Sequence, residues 1–195
     1  MKFDKVTVTQ YELDGLREFI AYKDIKLPKR ATKYSAGYDM YSVRDFTLNP
    51  GESIKIPTGI KVKLDPDKFL MVVPRSGLGF KYGVRLANTV GIIDADYSSS
   101  DNEGHMWIKI DYPILNENKK PMIIKQGDAI CQGIILQYFK VDDDESDGVR
   151  NGGFGSTSKA IYDACNDVNE GTFTCVNLNG NCQECLDKSK RGTDK

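Results

Sequence analysis

Period-two alternation of apolar and polar residues dominates the middle of the chain. Ile54 and Ile56 alternate with Ser53, Lys55 and Pro57, Ile60, Val62 and Leu64 with Lys61 and Lys63, and Met106, Ile108 and Ile110 repeat the pattern. Each run is bounded by Gly, Pro, Asn or Asp. An apolar side chain at every second position marks a half-buried strand. Turn signals recur between the runs at Asn49-Pro50-Gly51, Asp65-Pro66-Asp67 and Gln126-Gly127-Asp128, where proline presets φ and glycine accepts left-handed backbone. Many short strands with little helix predict an all-β sandwich or barrel. One helix is predicted near residues 13–22, where Leu16, Phe19 and Ile20 fall on one face.

From Val141 the pattern stops. Residues 142–147, DDDESD, read as a solvated linker, because like charges repel and extend a chain. The glycine-rich stretch RNGGFGSTS follows at 150–158, and 159–195 are polar, rich in Asn and Asp and poor in large apolar side chains. The expected organisation is an N-terminal extension (1–27), a barrel core (28–141), a linker with a glycine-rich arm (142–158) and a loosely ordered tail (159–195).

Composition removes several function classes. With 27 Lys+Arg against 28 Asp+Glu, the net charge of -1 argues against holding a nucleic-acid backbone by bulk charge. The longest apolar runs, 69–73 and 134–136, are too short to cross a bilayer, and the N-terminus MKFDKVTVTQ lacks the unbroken apolar stretch of a signal peptide. A soluble cytoplasmic protein with no nucleic-acid or membrane partner is expected. A single histidine, His105, rules out a His-rich metal site within one chain and leaves a protease-like triad one candidate base. Of five cysteines, Cys131 sits alone in an apolar strand, and Cys165, Cys175, Cys182 and Cys185 fall in the tail. A zinc ribbon normally shows two close pairs, and only Cys182 and Cys185 make one, so incidental thiols are the plainer reading.

Four segments carry candidate chemistry. PRSGLGFKYG (74–83) puts Arg75 and Ser76 beside Gly77 and Gly79. A guanidinium fork, a hydroxyl and open backbone N–H groups suit a polyphosphate, although the segment also reads as a Gly-rich turn. GIIDADY (91–97) ends an apolar strand on Asp94, Asp96 and Tyr97. A carboxylate there can act as a base on water beside a ring that holds a sugar or base, and a simple Asp-rich turn is the alternative. In RNGGFGSTS the lone ring of Phe154 stands in a flexible frame beside Ser156 and Thr157, fit to close over a ligand or to be a plain linker. SAGYDMYS (35–42) holds Asp39 between two tyrosines.

Together these segments resemble the ordered motif set of the trimeric, all-β dUTPases. AGYDMYS resembles the first motif, PRSGLG the second, LANTVGIIDADY the third, GDAICQGII the fourth and RNGGFGST the fifth, all in the family's order over about residues 28–158. Five matches in register are far more specific than one glycine-rich loop. The resemblance implies a jelly-roll-like β-barrel, a homotrimer whose flexible C-terminal arms reach neighbouring sites, and hydrolysis of dUTP to dUMP and pyrophosphate with Mg2+. It implies Asp94 as the base that orients water, with Asp96 as the alternative carboxylate, and Tyr97 packed under the deoxyribose. Uracil is then read by main-chain groups around Asn88, Gly91, Ile92 and Ile93. Arg75, Ser76 and Gly77 hold phosphates, and Gln132 lies near the α-phosphate. Phe154 stacks on uracil, while Arg150, Gly155, Ser156 and Thr157 meet the terminal phosphate. Mg2+ is held mainly by substrate phosphates and waters. Asp39 belongs either to its outer surroundings or to the orientation of a nearby arginine.

Three departures from the family pattern stand out. Ala129 replaces a common arginine of the fourth motif, the fifth motif is one residue short between Arg150 and Phe154, and SSSDNEG (98–104) replaces a sharp turn. That insertion leaves open which residues after Gly104 form the next strand. His105 and Trp107 start it and read as packing residues. A dCTP deaminase activity, or a nucleotide-sensing protein that uses the inserted loop and tail to bind a protein partner, are the competing readings.

Overall fold

The computed structural model describes residues 1–114, 120–150 and 152. These lie in one compact unit, Met1–Phe154, and a second unit, Gly155–Lys195, falls outside the described residues.

The longest pairing joins β12 (Ala129–Gln137) to β7 (Lys68–Pro74), in register from Cys131↔Pro74 to Gln137↔Lys68. On its other side β7 pairs with β9 (Gly91–Asp94). Beyond β12 lie β3 (Tyr38–Tyr41) and β2 (Lys29–Arg30), giving the order β2-β3-β12-β7-β9. Leu70 and Val72 of β7 point into the core, whereas Phe69, Met71 and Val73 are half-buried on the opposite face. Coverage of both faces explains why this strand reads as an unbroken apolar run.

A second sheet has β10 (Trp107–Asp111) between β5 (Ser53–Pro57) and β8 (Arg85–Leu86). Two small pairs complete the wall: β1 (Lys2–Lys5) with β6 (Ile60–Lys63), and β4 (Phe46–Leu48) with β11 (Met122–Ile124). Every pairing between these strands is antiparallel. The alternation read from the sequence has its expected outcome, with Ile56, Ile60, Val62, Met106, Ile108 and Ile110 all in the core. The three turn signals also close turns, through Glu52 N–H to Asn49 C=O, Lys68 N–H to Asp65 C=O and Asp128 N–H to Lys125 C=O. No helix among the described residues is long and apolar enough to cross a membrane.

The helix predicted at 13–22 is displaced. The real α1 is Val8–Leu13, capped by Thr7, whose hydroxyl accepts from the Gln10 N–H at 3.2 Å. It ends at Asp14 because Gly15 takes φ +68°, and two 3-10 turns follow, Leu16–Glu18 and Tyr22–Asp24. The apolar stripe still finds the core, with Leu16 and Ile20 buried, but not as a regular helix. A second helix, α2 (Ser76–Tyr82), occupies the segment that reads from sequence either as a polyphosphate-binding element or as a Gly-rich turn, and stops where Gly83 takes φ +68°. The first 27 residues, expected as an extension, supply β1 and the core side chains Val6, Tyr11, Leu16, Ile20 and Ile25.

The insertion at 98–104 folds against this N-terminal segment. Glu103, at φ +57°, accepts from the Thr7 N–H at 3.0 Å, from the Thr7 hydroxyl, and from Lys61 Nζ at 2.6 Å. Gly104 must be glycine, since its φ is +73° and a Cβ would stand 2.8 Å from the Tyr97 carbonyl oxygen. His105 is fully buried, with Nδ1 2.5 Å from an Asp14 carboxylate oxygen, and its Nε2 accepts from the Gly59 N–H at 2.8 Å. Because a backbone N–H can only donate, the proton of the neutral ring sits on Nδ1. His105 is thus a packing and cross-linking residue, as its sequence context suggested.

Burial holds the His105 imidazole below its ordinary pKa and outweighs the opposing Asp14 carboxylate. Below about pH 6.5 the unfolded chain takes up a proton that the folded ring refuses, so stability falls as pH drops through that window. Burial pushes the Glu103 carboxyl up, but Lys61 and the two Thr7 donors outweigh it and leave its pKa lowered. Its contribution is present above about pH 4.3 and is lost further into acid. The urea midpoint is expected to fall between about pH 7.5 and about pH 5.5, and to fall less in a His105→Gln variant. Equal slopes for the two proteins would contradict the assignment.

Candidate functional site

Where β8 gives way to β9 the chain makes a tight reversal. The Thr89 N–H donates to the Leu86 C=O at 2.9 Å, and the Val90 N–H donates to the Asn88 C=O at 2.6 Å. Thr89 takes φ +63°, uncommon for a β-branched residue, at a cost of about 1–3 kcal/mol. The turn passes from the β5-β10-β8 sheet to the five-stranded one, and a cleft of about 190 Å³ opens at that corner. Asn88, Gly91, Ile92, Ile93, Asp94, Tyr97 and Arg150, singled out in the sequence, all line it. Gly91 lies against β7, where a Cβ would come 3.2 Å from that of Val72.

Asp94 ends β9 as the residue before the 3-10 helix Ala95–Ser99, with its carboxylate 44% exposed. The Arg150 fork spans both carboxylates of the segment, pairing with Asp94 and donating from Nε to Asp96 at 2.8 Å. Despite the shortened spacing to Phe154, Arg150 therefore does reach the cleft. Asp96, the alternative carboxylate, does not line this cleft. Tyr97 is 5% exposed, and its phenol donates to the His105 C=O at 3.1 Å while accepting from Asn102 Nδ2 at 2.9 Å. Burial pushes the phenol pKa up, so it remains a protonated donor.

The remaining candidates gather elsewhere. Arg75, the N-cap residue of α2, pairs through Nε with Asp39 at 3.1 Å. Such a part-exposed pair contributes on the order of 1 kcal/mol or less, so its effect is to aim the guanidinium. Gln132 faces Asp39 across the β3–β12 ladder and donates to the Pro74 C=O at 3.4 Å. Gly37 makes room for it, since a Cβ there would stand 2.1 Å from Gln132 Oε1. Ser76 and Gly77 are exposed in the first turn of α2, where helical N–H groups have no intrahelical acceptor. None of Asp39, Arg75, Ser76, Gly77 and Gln132 lines the cleft. Phe154, Gly155, Ser156 and Thr157, with the four tail cysteines, lie outside the described residues.

Other residues of the cleft were not singled out as site residues from sequence. Met106 and Ile108 read as core and Trp107 as packing, yet all three line it together with Lys109. Alternation marks a strand but not which of its positions faces an opening. No sequence signal marked the strained Thr89.

A family model described as dUTPase matches residues 23–158. The chain is 36% identical over 151 residues to the deoxyuridine 5'-triphosphate nucleotidohydrolase of Lactococcus lactis, covering 75% of this chain and 98% of the relative. Among solved structures it is similar to the dUTPase of Streptococcus mutans, with a TM-score of 0.57 and 26% identity over 73% of this chain and 99% of that one. It shares its fold with a mutant dUTPase of Staphylococcus aureus phage phi11, in which a structural Mg(II) ion is coordinated, with a TM-score of 0.54 and 18% identity over 77% and 98% of the two chains. The all-β jelly-roll-like fold expected from the sequence is shared with these structures.

Cys131 lies in β12 beside the Asp39–Arg75 pair and is fully buried. Burial, with the Asp39 charge adding to it, pushes its thiol pKa far above the ordinary range, and only a thiolate attacks thiol reagents. Peptide mapping after treatment with a disulfide reagent is expected to find Cys131 unmodified in folded protein and modified in denaturant. Rapid labelling of the folded chain at Cys131 would contradict this.

Proposed function

The chain belongs to the dUTPase family and is a dUTP diphosphatase, and from that premise we propose how its own residues carry out the reaction. The observation that carries the reading is the cleft that gathers Asp94, Tyr97 and the Gly91–Asp94 strand beside Asn88. Main-chain groups around Asn88, Gly91, Ile92 and Ile93 read uracil, and Tyr97 packs against the deoxyribose where a 2′-hydroxyl would need room. A close-fitting pocket rejects thymine sterically and cytosine by mismatched hydrogen bonds.

Asp94 orients a water molecule toward the α-phosphorus and takes its proton. The bond from the α-phosphorus to the bridging oxygen breaks, and pyrophosphate leaves with the electron pair. Little covalent chemistry falls to the protein in such a transfer, so positioning and charge neutralisation supply most of the rate. Arg75, Ser76 and Gly77 bind phosphate through a fork, a hydroxyl and an amide, with Gln132 close to the α-phosphate. Arg150 and the arm residues Phe154, Gly155, Ser156 and Thr157 close over uracil and the terminal phosphate.

Among the described residues no three His, Cys, Asp or Glu side chains converge on one point, and Asp39 is engaged with Arg75. Such a donor set suits a Mg2+ ion brought in on the triphosphate, with Asp39 at most in its outer surroundings. When bound, the ion neutralises phosphate charge. The division of candidates between a cleft and a separate phosphate cluster supports a threefold homotrimer, in which one copy's cleft is completed by a neighbour's residues. Acting in the cytoplasm, the enzyme would limit uracil in DNA and supply dUMP.

Pyrophosphate release from dUTP with Mg2+ tests the reading. The wild type is expected to act on dUTP and to discriminate strongly against dTTP, dCTP and UTP. Asp94→Asn is expected to lose roughly 100-fold or more in kcat, the scale of a lost general base. A folded Asp94→Asn variant with wild-type turnover would remove Asp94 from its role.

A further inference from the structure

The inserted loop at 98–104 departs most from the family's pattern, and Asn102 and Glu103 in it turn their side chains toward the rest of the chain. Asn102 Nδ2 donates to the Tyr97 phenol oxygen at 2.9 Å, while Asn102 Oδ1 accepts from the Gly104 N–H at 3.1 Å. The phenol in turn donates to the His105 C=O at 3.1 Å. The tip of the Tyr97 ring is therefore held from two sides, by a side chain of the insertion and by the carbonyl that follows it.

Those holders are themselves fixed. Glu103 is tied to Thr7 and to Lys61, and the His105 ring bridges Asp14 and the Gly59 N–H. A seven-residue insertion of mostly polar residues would otherwise carry little positional information. Here two anchors from the N-terminal segment, Thr7 at the start of α1 and Asp14 at its end, clamp the residues on either side of Gly104.

We infer that Asn102 is a positioning residue for sugar selection, setting the Tyr97 ring against the deoxyribose through the phenol hydroxyl. The inference rests on the proposed role of Tyr97 in the cleft. Exclusion of a 2′-hydroxyl depends on where the ring face stands, and misplacement by about 1 Å can cost on the order of 100-fold in a positioned reaction. Asn102 is not among the residues lining the cleft, so it acts through Tyr97 rather than on the substrate.

The test compares wild type, Tyr97→Phe, Asn102→Ala and the double variant, reading kcat and KM for dUTP and for UTP with Mg2+. Tyr97→Phe keeps the ring and removes only the anchored hydroxyl, so it reports the same loss without disturbing the loop. Each single variant is expected to narrow the dUTP-to-UTP ratio of kcat/KM by about 3- to 10-fold, mainly by raising kcat/KM for UTP as the ring loses its hold against a 2′-hydroxyl. The double variant is expected to be no worse than the more affected single one, because both remove one interaction. Wild-type discrimination in Asn102→Ala, or additive losses in the double variant, would overturn the inference. Tyr97→Ala serves as the separate control. If it leaves the sugar preference intact while dUTP is still hydrolysed, the role of Tyr97 is wrong, independently of Asn102.

Discussion

The register of β7 against its two neighbours is the constraint on which both halves of the site depend. On one side Val72 faces Gly91 and Phe69 faces Asp94, so the ladder fixes where the cleft's floor begins and where its carboxylate emerges. On the other side Pro74 faces Cys131 and Val73 faces Gln132, which sets the glutamine beside the start of α2 and Arg75. A slip of one residue would send every side chain of β7 to the opposite face, exchanging Leu70 and Val72 for Met71 and Val73 in the core. The same buried strand that stabilises the barrel thus spaces the candidate site residues. Glycines stand opposite two of its inward side chains, Gly91 where a Cβ would come 3.2 Å from Val72 Cβ and Gly133 where one would come 2.8 Å from Leu70 Cδ1.

The strands were legible because period two is a local property, and Ile54 to Ile56 or Met106 to Ile110 announce it within a few residues. The candidate site residues could be drawn from the sequence as a set through their ordered motifs. Their division into a cleft and a separate cluster could not, since that depends on β8 and β9 entering different sheets at the Thr89 turn. Helix α2 escaped for a different reason. Its glycines lower helix propensity, and what favours it is the setting, with a β-strand delivering Arg75 as N-cap and Gly83 stopping it in left-handed backbone.

The N-terminal segment shows how a stripe can be read correctly and its geometry wrongly. Leu16 and Ile20 do pack inward, but Gly15 breaks the helix before them, and a lone Gly beside an Asp is an ambiguous stop signal. What sequence could not convey was the destination of the insertion's polar groups. Thr7 and Glu103, 96 residues apart, share a hydrogen bond, as do Asp14 and His105 over 91. Such contacts carry no periodicity, and only the assembled chain brings them together.

The Arg150 fork has a bearing on how a highly charged nucleotide first approaches. Asp94 and Asp96 stand at the rim with roughly half of each carboxylate in water, where like charge would repel a polyphosphate over about a Debye length of 8–10 Å. With a guanidinium lodged between them, the rim presents one net negative charge instead of two before any ligand arrives. In the proposed mechanism a carboxylate stands beside the reacting phosphorus, whereas an anion at the rim hinders capture of the nucleotide. A single arginine seated on both carboxylates lowers the negative charge that an approaching polyphosphate would meet, and that arginine lies outside the barrel's strands.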